Sequence, residues 1–377
     1  MGKRARTIEA DVCVIGAGII GLAHAYEARR RALSVVLLDR NDHAVGASVR
    51  NFGHLFFTSV PDSGARRAAL ARERWLEIGA RAGLPLEQSG TLIVARRPDE
   101  LAVLEAVAGD PERHARMLSA QELCSIAPVS AEGVLGGFHA TRDLCTDPRT
   151  TVAALASLLD DDAGARVRWG AHVHDVEPGL VHCDGLSVKA QAIVVCPGAD
   201  YRSLPPALQR GLEPLTLCRL QMLRLRAPVG RRYRPALATG LSLIRYPAFA
   251  SKPEAAELRA RLLREKPALV SNGIHLLVTQ RPDGDLIVGD THAYGDTLAP
   301  FDEERLYELL LEEARALLGS DLRVHERWHG IYPTITGPIE DSFLVTAPLP
   351  GVRVVQNVAG IGMTLSFGQA PRVLDEL

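Results

Sequence analysis

Apolar positions along this chain fall into two patterns. Residues 11–15, 33–38 and 192–196 are nearly unbroken apolar runs of strand length, as expected for strands covered on both faces. Residues 62–82, 98–108, 148–161, 253–265 and 302–318 instead repeat their apolar positions at helical spacing, with Pro148 placed for a first helical turn. Short strands are predicted at 91–96, 167–168, 173–177, 180–182, 187–189, 217–225, 241–246, 274–281 and 285–290. A strand at 352–356, a loop at 359–364 and a helix at 365–376 close the chain. Strand, turn, helix and strand within the first forty residues, and the same alternation at the end, predict an α/β nucleotide-binding domain assembled from 1–60, 146–215 and 328–377. The segments between, 61–145 and 216–327, are assigned to a second, mixed-sheet α+β domain that covers the ligand.

The turn after the first strand reads Gly16-Ala17-Gly18-Ile19-Ile20-Gly21. Gly16 permits the tight turn, Gly18 a close approach of backbone to a pyrophosphate, and Gly21 close packing of helix on strand. The free N–H groups of the new helix point at that phosphate. Asp39, followed by Arg40, ends the second strand, where a carboxylate accepts ribose hydroxyls. A packed α/β turn with a surface aspartate is the plain alternative. The fold starts at the beginning of the chain, and a second glycine loop, Ala359-Gly360-Ile361-Gly362-Met363-Thr364, precedes the last helix. A ligand as long as FAD needs such a second contact. Backbone N–H groups there would stabilise negative charge at flavin N1 and C2=O.

Composition removes several alternatives. The 377 residues carry 43 Lys and Arg against 45 Asp and Glu, without the basic excess of a nucleic-acid surface. The six cysteines form no CxxC, so a reducing cytoplasm is the simplest compartment. No apolar stretch reaches membrane-spanning length without charges or breakers. No GxSxG occurs, so no serine nucleophile is expected, and no metal site is expected either. Oligomeric state is not readable.

The glycine turn, Asp39, the string 46–53 (GASVRNFG) and the loop 360–364 together resemble the D-amino-acid oxidase superfamily, which includes glycine oxidase and sarcosine oxidase. The resemblance runs over essentially the whole chain. It implies a Rossmann-like FAD-binding domain of the glutathione-reductase-like, D-amino-acid oxidase type. It further implies that Ala47, Ser48, Asn51, Phe52 and Gly53 contact cofactor phosphate or flavin, and that Val173 and Val176 run beside the adenine. Gly198, Gly360, Gly362, Met363 and Thr364 complete the cofactor set. Further strings, among them CPGAD at 196–200, DTHAYG at 290–295 and ERWHGIYP at 326–333, resemble a subfamily associated with breakdown of 2-aminoethylphosphonate. That implies oxidation of an aminophosphonate, or its N-methylated forms, to phosphonoacetaldehyde and an amine. Two departures stand out. Sarcosine-oxidase-like enzymes place a lysine over the flavin where this chain has Leu286-Ile287-Val288-Gly289-Asp290, so oxygen and another electron acceptor both stay open. No cysteine follows Cys218, so the flavin is expected to be bound non-covalently.

Amine oxidation at a flavin requires a neutral amine and a held anionic end, and no dedicated base. Arginine suits the anion because its planar fork donates paired hydrogen bonds. Arg245, next to Tyr246, is the first candidate; an edge-strand arginine facing solvent is the alternative. Arg50 is the second, although its position beside Asn51 also suits cofactor phosphate. His54, His292, His329 and Tyr332 are candidates to line the pocket, with His329 favoured because the resemblance brings residues 328–332 to the flavin as a loop. Gln280 and Asp290 are possible polar contacts. Competing readings are the same chemistry on glycine, sarcosine or another small amino acid, an FAD-dependent hydroxy-acid dehydrogenase using His329 or His292 as base, and a flavin-binding module without catalysis.

Overall fold

The computed structural model describes residues 6–319, 322–335, 337 and 339–377. Its elements gather into two large sheets. In the first, of eight strands, Arg6–Ile15 lies between Leu186–Val195 and Val35–Leu38, with Ala165–Arg168 and Val352–Asn357 outside them, all parallel. Phe343–Thr346 adds an antiparallel edge, and a hairpin of Val173–Glu177 and Leu180–Cys183 hangs from Leu186–Val195. The apolar runs explain this placement: Cys13, Val14, Val35 to Leu38 and Ile193 to Val195 are buried on both faces of the sheet. One face is covered by the helices Ile19–Arg30, Gly362–Asp375 and Ala65–Arg81, where Tyr26, Trp75 and Phe367 meet edge to face. Trp75 also donates from its indole to the carbonyl of Met363 at 3.0 Å, which ties Ala65–Arg81 to the start of the last helix.

The second sheet has nine strands and is almost wholly antiparallel, with Ala236–Thr239 and Thr91–Ala95 its parallel pair. Its spine is Leu215–Arg226, paired along its length with Arg323–Ile335. On the other edge of that spine Leu286–Gly289 pairs with 222–225 and Ala293–Gly295 with 217–219. Met222 faces Gly289 and Arg219 faces Ala293, so two spine residues, 220 and 221, oppose three, 290 to 292. That extra residue is a β-bulge. Thr291 Oγ1 accepts the N–H of Gln221 at 3.0 Å and fixes it.

Several expectations are corrected. Residues 241–246 are helical turns, Gly240–Leu243 and then Pro247–Ala250 with Tyr246 as its cap, because the strand closes at Thr239 before Gly240. Residues 328–332 are the interior of the strand Arg323–Ile335, held by the spine, and no loop. The segments at 187–189 and 192–196 are one strand, Leu186–Val195.

Candidate active site

Two cavities meet where the sheets face each other. The first runs from the glycine turn past Asp39 and Arg40, Ala171 to Val173 and Cys196 to Asp200, to Tyr332, Gly360, Gly362 and Met363. Gly16 has φ of +101°, and a Cβ there would collide with the carbonyl of Cys196 on the neighbouring strand, so the turn needs glycine. Ile19–Arg30 starts with no side-chain cap of its own. Ser48 Oγ, from the loop opposite, accepts the N–H of Ile19 at 2.9 Å and lies 3.0 Å from where a Gly18 Cβ would be. Asp39 Oδ2 accepts the N–H of Ala17 at 2.8 Å and Oδ1 that of Asn41 at 2.9 Å. The carboxylate thus staples the turn to the second strand while still lining the cavity. A helix start without a cap of its own, a glycine approach and a carboxylate at the strand end are what a dinucleotide requires. At the far end Gly360 has φ of +70° and sits against the Tyr332 ring, with its Cβ position 3.1 Å from the phenol oxygen.

Most of the expected cofactor residues line this cavity: Gly16, Gly18, Ile19, Gly21, Asp39, Arg40, Ala47, Ser48, Asn51, Val173, Gly198, Gly360, Gly362 and Met363. Five others are placed elsewhere. Ala17 is fully buried and offers its N–H to Asp39. Val176 lies three residues from Val173, on the opposite face of an alternating strand, and packs in the core. Gly53 packs under the carbonyl of Thr146, where a side chain has no room. Phe52 and Thr364 line the second cavity instead, and Thr364 Oγ1 accepts the N–H of Phe56 at 3.2 Å.

The second cavity, about 540 Å³, contains Arg245, Tyr246, His54, His275, Asp290 and His292. It shares Asn51, Leu220, Tyr332, Gly360 and Met363 with the first. Arg245 is half-buried, and among the described residues its guanidinium makes no salt bridge. Burial opposes its charge, but Tyr332, Tyr294, Tyr246 and Asp290 outweigh that and move its pKa up, so it stays a fixed cation. His54 Nε2 donates to Thr91 Oγ1 at 2.7 Å, and Thr91 donates to Asp143 Oδ2 at 2.7 Å. Burial pushes the His54 pKa down to about 3, so this ring is neutral.

Two candidates are placed away from the second cavity. Arg50 lines the first; it donates to the carbonyls of Val45 at 2.8 Å and His329 at 3.2 Å. This is the cofactor-side position its neighbour Asn51 also suggested. His329 lines neither cavity. Gly330 to Pro333 line the first cavity, whereas His329 is engaged away from it, its Nδ1 lying 3.1 Å from Asp302.

The structure also gathers a group that spacing did not show. Ligand atoms of His275, Asp290 and His292 all lie within 4.8 Å of one another, and all three residues are buried. Asp290 and His292 come from the bulge and His275 from the segment entering Leu277–Gln280. The two segments are clipped together by the N–H of His292 to Asn272 O and by His292 Nδ1 to Gly273 O, each at 2.8 Å. The register mismatch across residues 289–293 appears only once strand partners are known, so no sequence signal could have found it.

The model of the family described as "FAD dependent oxidoreductase" matches residues 11–373. The chain is 27% identical over 180 residues to "Aerobic glycerol-3-phosphate dehydrogenase" of Staphylococcus epidermidis, covering 43% of this chain and only 31% of that protein. It is 25% identical over 285 residues to "D-amino acid dehydrogenase 2" of Pseudomonas aeruginosa, covering 59% of this chain and 67% of the relative. Among solved structures, L-proline dehydrogenase from P. horikoshii superposes with a TM-score of 0.78 at 14% identity, over 96% of this chain and 91% of that one.

Proposed function

From the chain's membership of the FAD-dependent oxidoreductase family, we propose that it oxidises the C–N bond of a small amine that carries an anionic group. The observation that carries this reading is a fixed cation, Arg245, in a cavity that shares a wall with the dinucleotide cavity. Bound FAD supplies the two-electron acceptor. The glycine turn, Ser48 and the 360–363 segment would hold it, and Arg245 would hold the anion through paired donors. Tyr246 and Tyr332, whose pKa values burial pushes up, stay protonated and present hydroxyls to the same space. D-amino acid dehydrogenase and L-proline dehydrogenase among the similar proteins support an amine as the oxidised group. The substrate we favour is 2-aminoethylphosphonate or an N-methylated form, on the sequence strings quoted above, with a small amino acid as the second reading. A guanidinium fork serves phosphonate and carboxylate alike. The segment Leu286–Gly289 brings no lysine to the cavity, which favours an electron acceptor other than oxygen. All six cysteines are unpaired, which suits the cytoplasm. No described helix is long and apolar enough to cross a membrane.

The test is anaerobic bleaching of the bound flavin by 2-aminoethylphosphonate, its N-methyl form, glycine and sarcosine, with 2-hydroxy acids alongside. The expected result is fast reduction by the aminophosphonates. Reduction by the hydroxy acids alone would sink the amine reading, and reduction by glycine or sarcosine alone would replace the phosphonate with a carboxylate.

A further inference from the structure

The cluster that shares the second cavity with Arg245 has chemistry that holding an anion does not use. His275 Nε2 stands 2.8 Å from Asp290 Oδ1, without the alignment of a hydrogen bond. Both residues are at most 5% exposed, and among the described residues His275 Nδ1 has no hydrogen-bond partner and Asp290 Oδ1 none besides this contact. Unpartnered buried polar atoms are costly, and a pair of them beside a ligand cavity points to a ligand that partners them. His292 Nδ1 lies 2.8 Å from the Gly273 carbonyl, which only accepts, so Nδ1 carries the proton and Nε2 keeps its lone pair. The cavity therefore has acceptors, a carboxylate and an imidazole nitrogen, facing a space whose cation is Arg245.

Resting on the amine-oxidation reading above, we propose that Asp290, with His275 and His292, is the amine pole of a two-pole substrate site whose anion pole is Arg245. The occupant is a zwitterion: a phosphonate or carboxylate at one end and a primary or secondary ammonium at the other. Its N–H groups reach the acceptors Asp290 and His292 Nε2. The charged and titratable groups around this pole are Arg245, His275, His292, Cys218, Tyr246, Tyr294 and Tyr332. Burial opposes the charge of Asp290, but His275, His292 and Arg245 hold its pKa low, so it remains a carboxylate. Burial holds His292 neutral, at about 3. The Asp290 carboxylate thus faces the ammonium, and a hydroxyl analogue of the same shape gains a hydrogen bond from it but no pairing of opposite charges. This carboxylate also keeps the bound amine protonated to a higher pH, so the pole favours binding and opposes formation of the neutral amine that is oxidised.

The test uses the purified flavoprotein and two matched pairs of probes, 2-aminoethylphosphonate with 2-hydroxyethylphosphonate and glycine with glycolate, titrated through the perturbation of the flavin spectrum. Wild type should bind the amino member of at least one pair more tightly. Asp290→Asn should weaken that member at least 10-fold and its hydroxy partner by less than about 2-fold, the contrast that distinguishes losing a charge from losing shape. In Asp290→Asn the pH midpoint of flavin reduction should also move down by about 1 unit or more, because the bound ammonium has lost its counter-charge. If that variant fails to fold, Asp290→Ser, which also removes the charge, carries the same pairwise comparison. Equal weakening of amino and hydroxy members, or no amino preference in wild type, overturns the proposal. So does a divalent metal retained stoichiometrically by wild type and lost in Asp290→Asn, which would make the cluster a metal centre. Binding is read without turnover, so an enzyme whose flavin no amine reduces would fail the proposed reaction while still reporting on the pole.

Discussion

Arg245 and His54 share a cavity and differ in what surrounds them. Arg245 has its charge free for a ligand, whereas His54 is committed to a buried chain through Thr91 to Asp143. Replacing Arg245 with Met should therefore weaken substrate binding by about 2–5 kcal/mol, the range for removing one partner of a desolvated charge pair. FAD content and melting should stay near wild type, and Arg245→Lys should recover part of the loss by keeping the charge without the fork. Anaerobic reduction across a substrate titration measures this; unchanged dissociation constant and reduction rate in Arg245→Met would remove the assignment. Both residues were identifiable by type. Their roles were not, because the partners of His54 lie at 37 residues' distance for Thr91 and beyond it for Asp143.

At the scale of elements, the helix Ile19–Arg30 buries His24 completely, with Nδ1 donating to the carbonyl of Ile20 at 2.7 Å and Nε2 without a partner among the described residues. Burial pushes its pKa down to about 4, and those of His54 and His292 to about 3. The unfolded chain takes up these protons near pH 6.5, before the folded one does, so stability falls as pH drops from about 6.5 toward 4. Asp143 acts in the opposite sense: burial raises its pKa to about 6, so protonating it favours the fold over part of the same range. Three histidines outweigh one carboxyl, and the melting temperature should decline between pH 7 and 5. His24→Gln should flatten that decline, and a slope unchanged by the substitution would show that His24 contributes nothing to it. The turn before the same helix gives a second expectation. A bulky residue at Gly18 meets Ser48 and blocks the approach to phosphate, so Gly18→Val should be purified without FAD; normal FAD content would contradict the turn assignment. This turn was legible because its glycines, helix and acid are local in sequence. Strand or turn at 241–246 was not, since Leu-Ser-Leu-Ile-Arg-Tyr suits either, and the strand's end at Thr239 was decided by its neighbours at 91–94 and 277–278.

The whole molecule is built on two large sheets, the cavity proposed for the cofactor draws its lining from both, and stability should depend on its occupancy. Acid denaturation should release intact FAD, because no cysteine follows Cys218 to anchor it. Removing FAD under native conditions should lower the melting temperature, and returning it at a hundredfold excess over its Kd should restore about 2.7 kcal/mol. An apoprotein that melts with the holoprotein would show that the cleft is rigid without its ligand. The parallel sheet could be read from its apolar runs. The antiparallel one was harder: its spine pairs with Arg323–Ile335 a hundred residues away, and neither strand shows strict alternation.

The wall common to the two cavities draws Asn51 from the phosphate loop, Leu220 and Tyr332 from the paired long strands, and Gly360 and Met363 from the start of the last helix. Neither compartment can be reshaped without touching the other. Whatever FAD does to the affinity for substrate, substrate must do to the affinity for FAD by the same factor. A substrate that settles against this wall would slow the escape of the cofactor, and an ill-fitting analogue that pushes on Tyr332 would hasten it. Retention of flavin during prolonged dialysis then becomes a reporter of substrate fit that needs no turnover.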